Sequence, residues 1–478
     1  MAAHRTARDP LTTGAGPAAA SSRRAVLRWG AALAAAACAP KGTGGADGAG
    51  DDDSGGGDSG AAPTPTRAPE PPRWEPPGPA DDVAFPWGVQ TGDALPDAVI
   101  VRVRALQMPL RVEVVRAEGD GWVADQQREE LWPPDGAESI RLELSGLRPD
   151  TAYCLAAQDG MGRWSRSTRL RTALADGALR VLTLGATSCL GGNEPWRSLS
   201  VAAGEDLDAF LLLGDTVYAD GSRTIEDYRL FWRAAMRVEG MRGLTGSTSV
   251  VATWDDHEVD NNWSRSSLEA GQFANARAAF AEALPQREGP GGTGIWRQLR
   301  WGDTAELFVL DCRGEREDGL YVSDQQLAWL EDALAASTAR FKLILNSVPI
   351  TDLTAMFGAA AADDRWQGYP TQRERILRFI DEHPISGVLW ITGDVHFPAI
   401  CSVSPPGAPG AGQTEVFTGP GGSFLNLAAD LFVGDPQYPY VGYAWNWCRL
   451  RLDPGTGVVD VTFVDDDGGV LHSASLQL

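Results

Sequence analysis

Six apolar runs in this chain each end abruptly in residues that donate electron pairs. They are RVLTLGATSC, LDAFLLLGDTVYADG, TSVVATWDDHE, AELFVLDCRGE, FKLILNSVPI and SGVLWITGDVHFPAI. Between them lie stretches with apolar residues at helical spacing, among them TIEDYRLFWRAAMRV, ANARAAFAEAL and SDQQLAWLEDALAAS. Short apolar runs bounded by polar tips read as buried strands, and their alternation with helices predicts an α/β architecture. In such sheets the loops beyond the carboxyl ends of the strands converge. The tips therefore predict one composite site. Its contributors are Ser188-Cys189, Asp215 with Tyr218, Asp255-Asp256-His257-Glu258, Asn261-Asn262, Asn346, and Asp394 with His396.

The densest tip, TWDDHEVDNNW at residues 253–263, packs four carboxylates, one histidine and two asparagines together. Crowded, buried carboxylates must take up protons unless cations sit among them. Carboxylates, amide oxygens, a thiol and a phenol are all metal-binding groups, so the tips predict a metal cluster. That cluster is not rich in histidine. The chain has five histidines, His4, His257, His383, His396 and His472, and only His257 and His396 stand at strand ends.

Composition divides the rest. Residues 1–38 read as an export signal: Arg23-Arg24 precede a short run of small residues, GAALAAAAC, ending at Cys38. This makes the twin-arginine machinery an expected partner and Cys38 a candidate for lipid anchoring, with a periplasmic, extracellular or lipid-tethered location. Residues 39–82 are Gly, Pro, Asp and Ser with little to bury, and read as a disordered linker. Residues 83–175 alternate at strand spacing, as in AVIVRVRAL and LRVEVVRAE, and predict a small β-sandwich. Within SGLRPDTAY, Tyr153 stands where a fibronectin-III-like domain ties a hydroxyl back to the backbone. Net charge is -23, from 64 acidic and 41 basic residues. That argues against a nucleic-acid-binding surface, which needs excess Lys and Arg.

In the order FPWGVQTGDALPDAVIVR, TSC, LLLGDTVYADG, TWDDHEVDNNW, LDCRGER, SDQQLAWLEDAL, ITGDVHFPAI and EVFTGPGGSF, residues 83–478 resemble the PhoD-like alkaline phosphatases of the metallophosphoesterase superfamily. The resemblance implies a four-layer αββα catalytic domain over residues 178–478, with iron(III) and calcium as cofactors. It places Cys189, Tyr218, Asp215 and His396 on the iron, with Asp215 bridging to calcium and Asp394 on the calcium side. Asp256 occupies a metal-ligand position, Asn262 becomes a further calcium ligand, and His257 acts on the leaving group. The donor chemistry agrees: thiolate and phenolate favour a highly charged iron ion, while carboxylate and amide oxygens suit calcium.

Other readings stay open. Arg313 and Arg316, in DCRGER, either grip a substrate phosphate or pair with Asp311 and Glu315. Asp255 reads as a support for its neighbours, Glu258 as a cap or a ligand, and Cys312 as core. Cys154, Cys312, Cys401 and Cys448 have no assignable pairing. The expected function is an exported, metal-dependent phosphomonoesterase or phosphodiesterase using a metal-activated hydroxide on a small phosphoester. The rival is a non-catalytic, calcium-stabilised surface protein.

Overall fold

The six apolar runs form the strands Leu182–Thr187, Ala209–Leu213, Val250–Thr253, Ala305–Val309, Phe341–Asn346 and Val388–Thr392. The structure is a computed structural model that describes residues 64–134, 136–290, 294–317 and 319–478. The expected export signal, Cys38 and most of the expected linker lie outside the described residues. The first three strands run parallel within a nine-stranded sheet, and the last three run parallel within a seven-stranded sheet. Each trio therefore delivers its three carboxyl ends to one edge of its sheet.

Side-chain alternation explains the layering. Leu182, Leu184, Leu211 and Val251 face Leu307, Leu343, Leu389 and Ile391 in a core between the two sheets. The alternate residues, including Phe210, Leu212, Val250 and Ala252, point outward against Tyr228, Trp232, Met241, Leu244 and Phe280. These come from the helices Ile225–Ala235, Glu239–Ser247 and Gln272–Ala283. On the far side, the helices Asp324–Ala336 and Pro370–Glu382 set Leu327, Leu330, Ile376 and Leu377 against Phe308, Ile344 and Trp390. Helices thus cover both outer faces of a pair of stacked sheets. The helix starts follow local rules: Thr224 and Asp227 form a reciprocal capping box, and Ser323 accepts from the Gln326 N–H.

The segment 83–175 folds into two facing sheets around Val99, Val101, Val112, Val114, Tyr153 and Leu155. The Tyr153 hydroxyl accepts from the Arg148 N–H at 2.7 Å, the tie expected at this corner. Its strands Val89–Gly92, Ala98–Val103 and Ile140–Ser145 continue the nine-stranded sheet. Gly92 lies opposite Val250 in a parallel ladder, and a buried Asp93–Arg297 pair at 2.7 Å reinforces the join. The boundary expected near residue 176 is therefore crossed by backbone hydrogen bonding.

Residues 64–82, placed in the linker by composition, also lie against the folded body. Thr64 donates to Asp453, Glu70 pairs with Arg171 at 3.2 Å, and the Trp122 indole donates to the Pro72 carbonyl. No helix among the described residues is long and apolar enough to cross a membrane.

Candidate metal centre

The strand tips turn sharply and hold unusual backbone. Cys189, Asp215, Asn262, Asp394 and His396 all take positive φ, between 52° and 68°. A non-glycine residue there costs on the order of 1–3 kcal/mol and persists only where neighbours fix it. The fixing groups are visible. Glu258 accepts from the backbone N–H groups of Asp215, Thr216 and Asp255, at 3.1, 2.6 and 2.9 Å. The GPGGSF turn donates from Gly421 to the Ser188 carbonyl, and from Gly422 and Ser423 to that of Cys189. Gly214, at φ 91°, lets two tips touch, since a Cβ there would lie 2.5 Å from that of Asp255.

These turns bring donor atoms together in three overlapping groups: Cys189, Asp215 and His396; Asp215, Asp256 and His257; and Asp255, Asp256 and Asp394. Within each group one donor atom per residue lies within 4.8 Å of the others. Tyr218 joins the first, its hydroxyl 3.4 Å from Asp215 Oδ2 and 3.4 Å from His396 Nε2. His396 turns Nδ1 to the Phe424 carbonyl at 3.0 Å, which leaves Nε2 facing the cluster. Burial pulls its pKa down to about 4, so the imidazole is neutral and its lone pair is free to bind a metal.

The electrostatics ask for positive charge. Burial, then Asp256, Asp255, Glu258 and Asp394, push the Asp215 carboxyl well up. Burial and Asp215 do the same to the Cys189 thiol and the Tyr218 phenol. Asp215 Oδ1 is buried with no hydrogen-bond partner among the described residues. A cation at this point would give that oxygen its partner and reverse the protonation of its neighbours. The donor set fits one.

His257 stands beside this group, its ring stacked on Tyr218 with centroids 4.1 Å apart. Asn262 reaches the same region. Its amide lies 3.0 Å from Asp256 Oδ2 and 2.9 Å from Asp364 Oδ2, and its backbone N–H donates to Asp256 Oδ2 at 2.6 Å.

Arg313 and Arg316 do not make the ion pairs that one reading of the sequence gave them. Arg313 is fully buried; its Nε donates to Asp255 at 2.6 Å and its Nη1 to Asp364. Arg316 pairs with Asp364 at 2.6 Å and donates to the carbonyls of Asn262 and Trp263. Their guanidinium groups pair with neither Asp311 nor Glu315; the Arg313 backbone N–H donates to Asp311 at 3.2 Å, and Arg316 Nε is buried without a partner. Asp311 also accepts from the Trp254 indole at 2.7 Å, and Glu315 from the Ser323 hydroxyl at 2.6 Å. Glu258 serves as a backbone clamp across two tips. Cys312 is core, donating to Asn346 at 2.7 Å. Every cysteine among the described residues is free. His383 is exposed at a helix end, and His472 stacks on Tyr440 far from these groups in sequence and contact.

Sequence reasoning passed over Asp220, Asp364, Arg365 and Ser423. Asp220 shares the Tyr218 loop and holds His257, so its position in YADG was a usable signal. Arg365 pairs with Asp394 and lies over the Phe357 ring at 3.8 Å. Ser423 accepts from the Tyr218 hydroxyl at 3.1 Å.

The PhoD-like phosphatase model matches residues 184–426, which hold every strand tip of this centre. The chain belongs to the PhoD-like phosphatase family. It is 27% identical over 378 residues to alkaline phosphatase D of Bacillus subtilis (strain 168), a match covering 65% of this chain and 64% of that relative's length. The solved structure of PhoD superposes with a TM-score of 0.70 at 22% identity, over 84% of this chain and 90% of that one. A purple acid phosphatase from yellow lupin seeds superposes at 0.59 and 15% identity, over 82% and 73%. Both structures share the fold of this PhoD-like chain.

Proposed function

We propose that this PhoD-like chain is a metal-dependent hydrolase of phosphoric monoesters or diesters. One observation carries the reading: Cys189, Asp215, Tyr218 and His396 converge on one point, with His257 immediately beside it. Cys189, Tyr218, Asp215 and His396 would hold an iron(III) ion, and Asp215, Asp256, Asp394 and Asn262 would hold calcium. Such cations polarise phosphoryl oxygens and make water a usable nucleophile near neutral pH.

The chain's own groups do the rest. The His396 Nδ1–H bond to the Phe424 carbonyl fixes its tautomer and ring direction. Arg313 and Arg365 offset the charges of Asp255 and Asp394, so the acidic tips tolerate one another. Burial pulls the His257 pKa down, but the Asp220 hydrogen bond and the charge of Asp256 outweigh it and raise the value to about 9. A protonated His257 would present its proton to a departing alkoxide, the costly group in ester cleavage. Tyr218 holds the ring flat against itself.

The same proposal includes export. It rests on the Arg23-Arg24 pair and the short apolar run behind it, with a lipid anchor at Cys38 and a fibronectin-III-like character for residues 83–175. Purified protein should be assayed on a chromogenic phosphomonoester and its diester, with metal content measured on the same sample. Hydrolysis that follows iron and calcium content is expected. Folded, metal-replete protein that cleaves neither ester would overturn the reading.

A further inference from the structure

A cavity of about 430 Å³ lies between the strands Ala98–Val103 and Ile140–Ser145 and the helix Gln272–Ala283, and shares no residue with the metal centre. Four arginines line it: Arg102, Arg141, Arg277 and Arg287. Arg102 and Arg141 stand directly opposite each other in the antiparallel ladder. Their strand neighbours Val101, Val103 and Ile140 face the sandwich core, so both guanidinium groups leave by the other face. Like charges directly opposite across a ladder are destabilising unless something negative sits between them.

The nearby protein groups supply that charge only in part. Arg102 is only 7% exposed, yet its Nε has no partner, and its Nη1 makes one long bond, 3.4 Å, to the Ser139 hydroxyl. Arg287 Nη2 is likewise buried without a partner, and Arg277 makes no ion pair among the described residues. The carboxylates in reach are engaged: Glu282 holds Arg229 at 2.7 Å, and Glu143 holds Arg287 Nη1 at 2.6 Å. Glu288 sits exposed on the cavity wall. In a chain of net charge -23, this is a local inversion of sign built from side chains that cannot shed their protons.

We propose that this cavity binds a phosphate group, gripped by the guanidinium forks of Arg102, Arg141, Arg277 and Arg287. Planar N–H pairs match tetrahedral oxyanions, and burial of Arg102 excludes competing water. The cavity is larger than inorganic phosphate, and its walls include Phe273, Phe280 and Ile295. The phosphate is therefore either free or carried on a small apolar body, which the experiment separates.

The test is equilibrium binding of radiolabelled inorganic phosphate to the full, metal-loaded chain, with phenylphosphonate as a second probe. Wild type should show a site beyond the metal centre. The double variant Arg102→Gln/Arg141→Gln should lack it while keeping wild-type turnover. Arg277→Gln, on a solvent-facing helix flank where folding is safe, should weaken that site by roughly tenfold, the scale of one charge-assisted bond. Tighter binding of phenylphosphonate than of phosphate would assign an organic phosphate; weaker binding would assign the free ion. Binding at the metal centre alone in wild type, or isotherms unchanged in Arg277→Gln, would overturn the proposal.

Discussion

His257 Nδ1 lies 2.9 Å from both carboxylate oxygens of Asp220. Nδ1–H is thereby committed to Asp220, and the proton at Nε2 is the one available for transfer. The Asp220 bond and charge favour the imidazolium, so removing them lowers the pKa from about 9. A proton donor is lost as pH rises through its pKa. Asp220→Asn should therefore shift the alkaline limb of the pH–rate profile to lower pH and cost roughly tenfold in kcat on the alkaline side. Bound cations would lower the pKa itself but not the sign of the Asp220 contribution. An unchanged profile would remove Asp220 from the mechanism.

Asp256 and His257 are chain neighbours whose loss should differ in kind. Asp256→Ala deletes an anionic ligand, so metal content and activity should fall together. His257→Ala should retain metal and bind phosphate, yet turn over about 100-fold more slowly. The deficit should shrink for esters of acidic alcohols, whose oxygen needs little protonation. Metal loss in His257→Ala, measured by elemental analysis, would make His257 a ligand.

Cys189 and Tyr218 should give an iron-loaded protein a visible charge-transfer band. Tyr218→Phe keeps the ring that stacks on His257 and removes only the oxygen. It should shift or weaken that band, and Cys189→Ser should do so too, because both change the donor and little else. Stoichiometric zinc without iron in active protein would sink the iron assignment.

Arg313 is the positive centre of the acidic tips. Arg313→Met keeps the bulk of the side chain and leaves Asp255 and Asp364 without their central partner. Removing one member of a buried ion pair costs about 3–5 kcal/mol. Denaturant titration should show a loss of that size, and a loss within experimental error would mean that Arg316 and Arg365 suffice.

The strands and most of the donor groups were legible because each leaves a local signal, a buried apolar run broken by ligating residues. Cys189 and Tyr218 were readable for the same reason. The arginine network was not. The partner of Arg313, Asp364, lies 51 residues away in the 3-10 stretch Ala359–Asp364, which has no periodicity to announce it. Arg365 beside it is equally silent in sequence. The pairing of Arg313 and Arg316 with Asp311 and Glu315 failed because nearness in sequence stood in for nearness in space. The strands Gly121–Leu131, Asn446–Asp453 and Val458–Asp465 went unread; the first carries mixed polar residues, while the other two set Leu450, Leu452, Val459 and Val461 into the core between the sheets.

The ladder between Gly92 and Val250 has a practical consequence for anyone dividing this protein. A fragment beginning near residue 178 would carry every donor group, yet Val250 would lose its ladder partner Gly92, and its carbonyl, which accepts from the Asp93 N–H, would be left bare at the sheet margin. Its strand, Val250–Thr253, runs directly into Asp255 and Asp256, so fraying at the margin reaches the donor groups first. Arg297, fully engaged with Asp93 in the intact chain, would be left as a buried orphan charge. The N-terminal sandwich behaves less like an appended module than like the bank that keeps one side of the nine-stranded sheet from eroding.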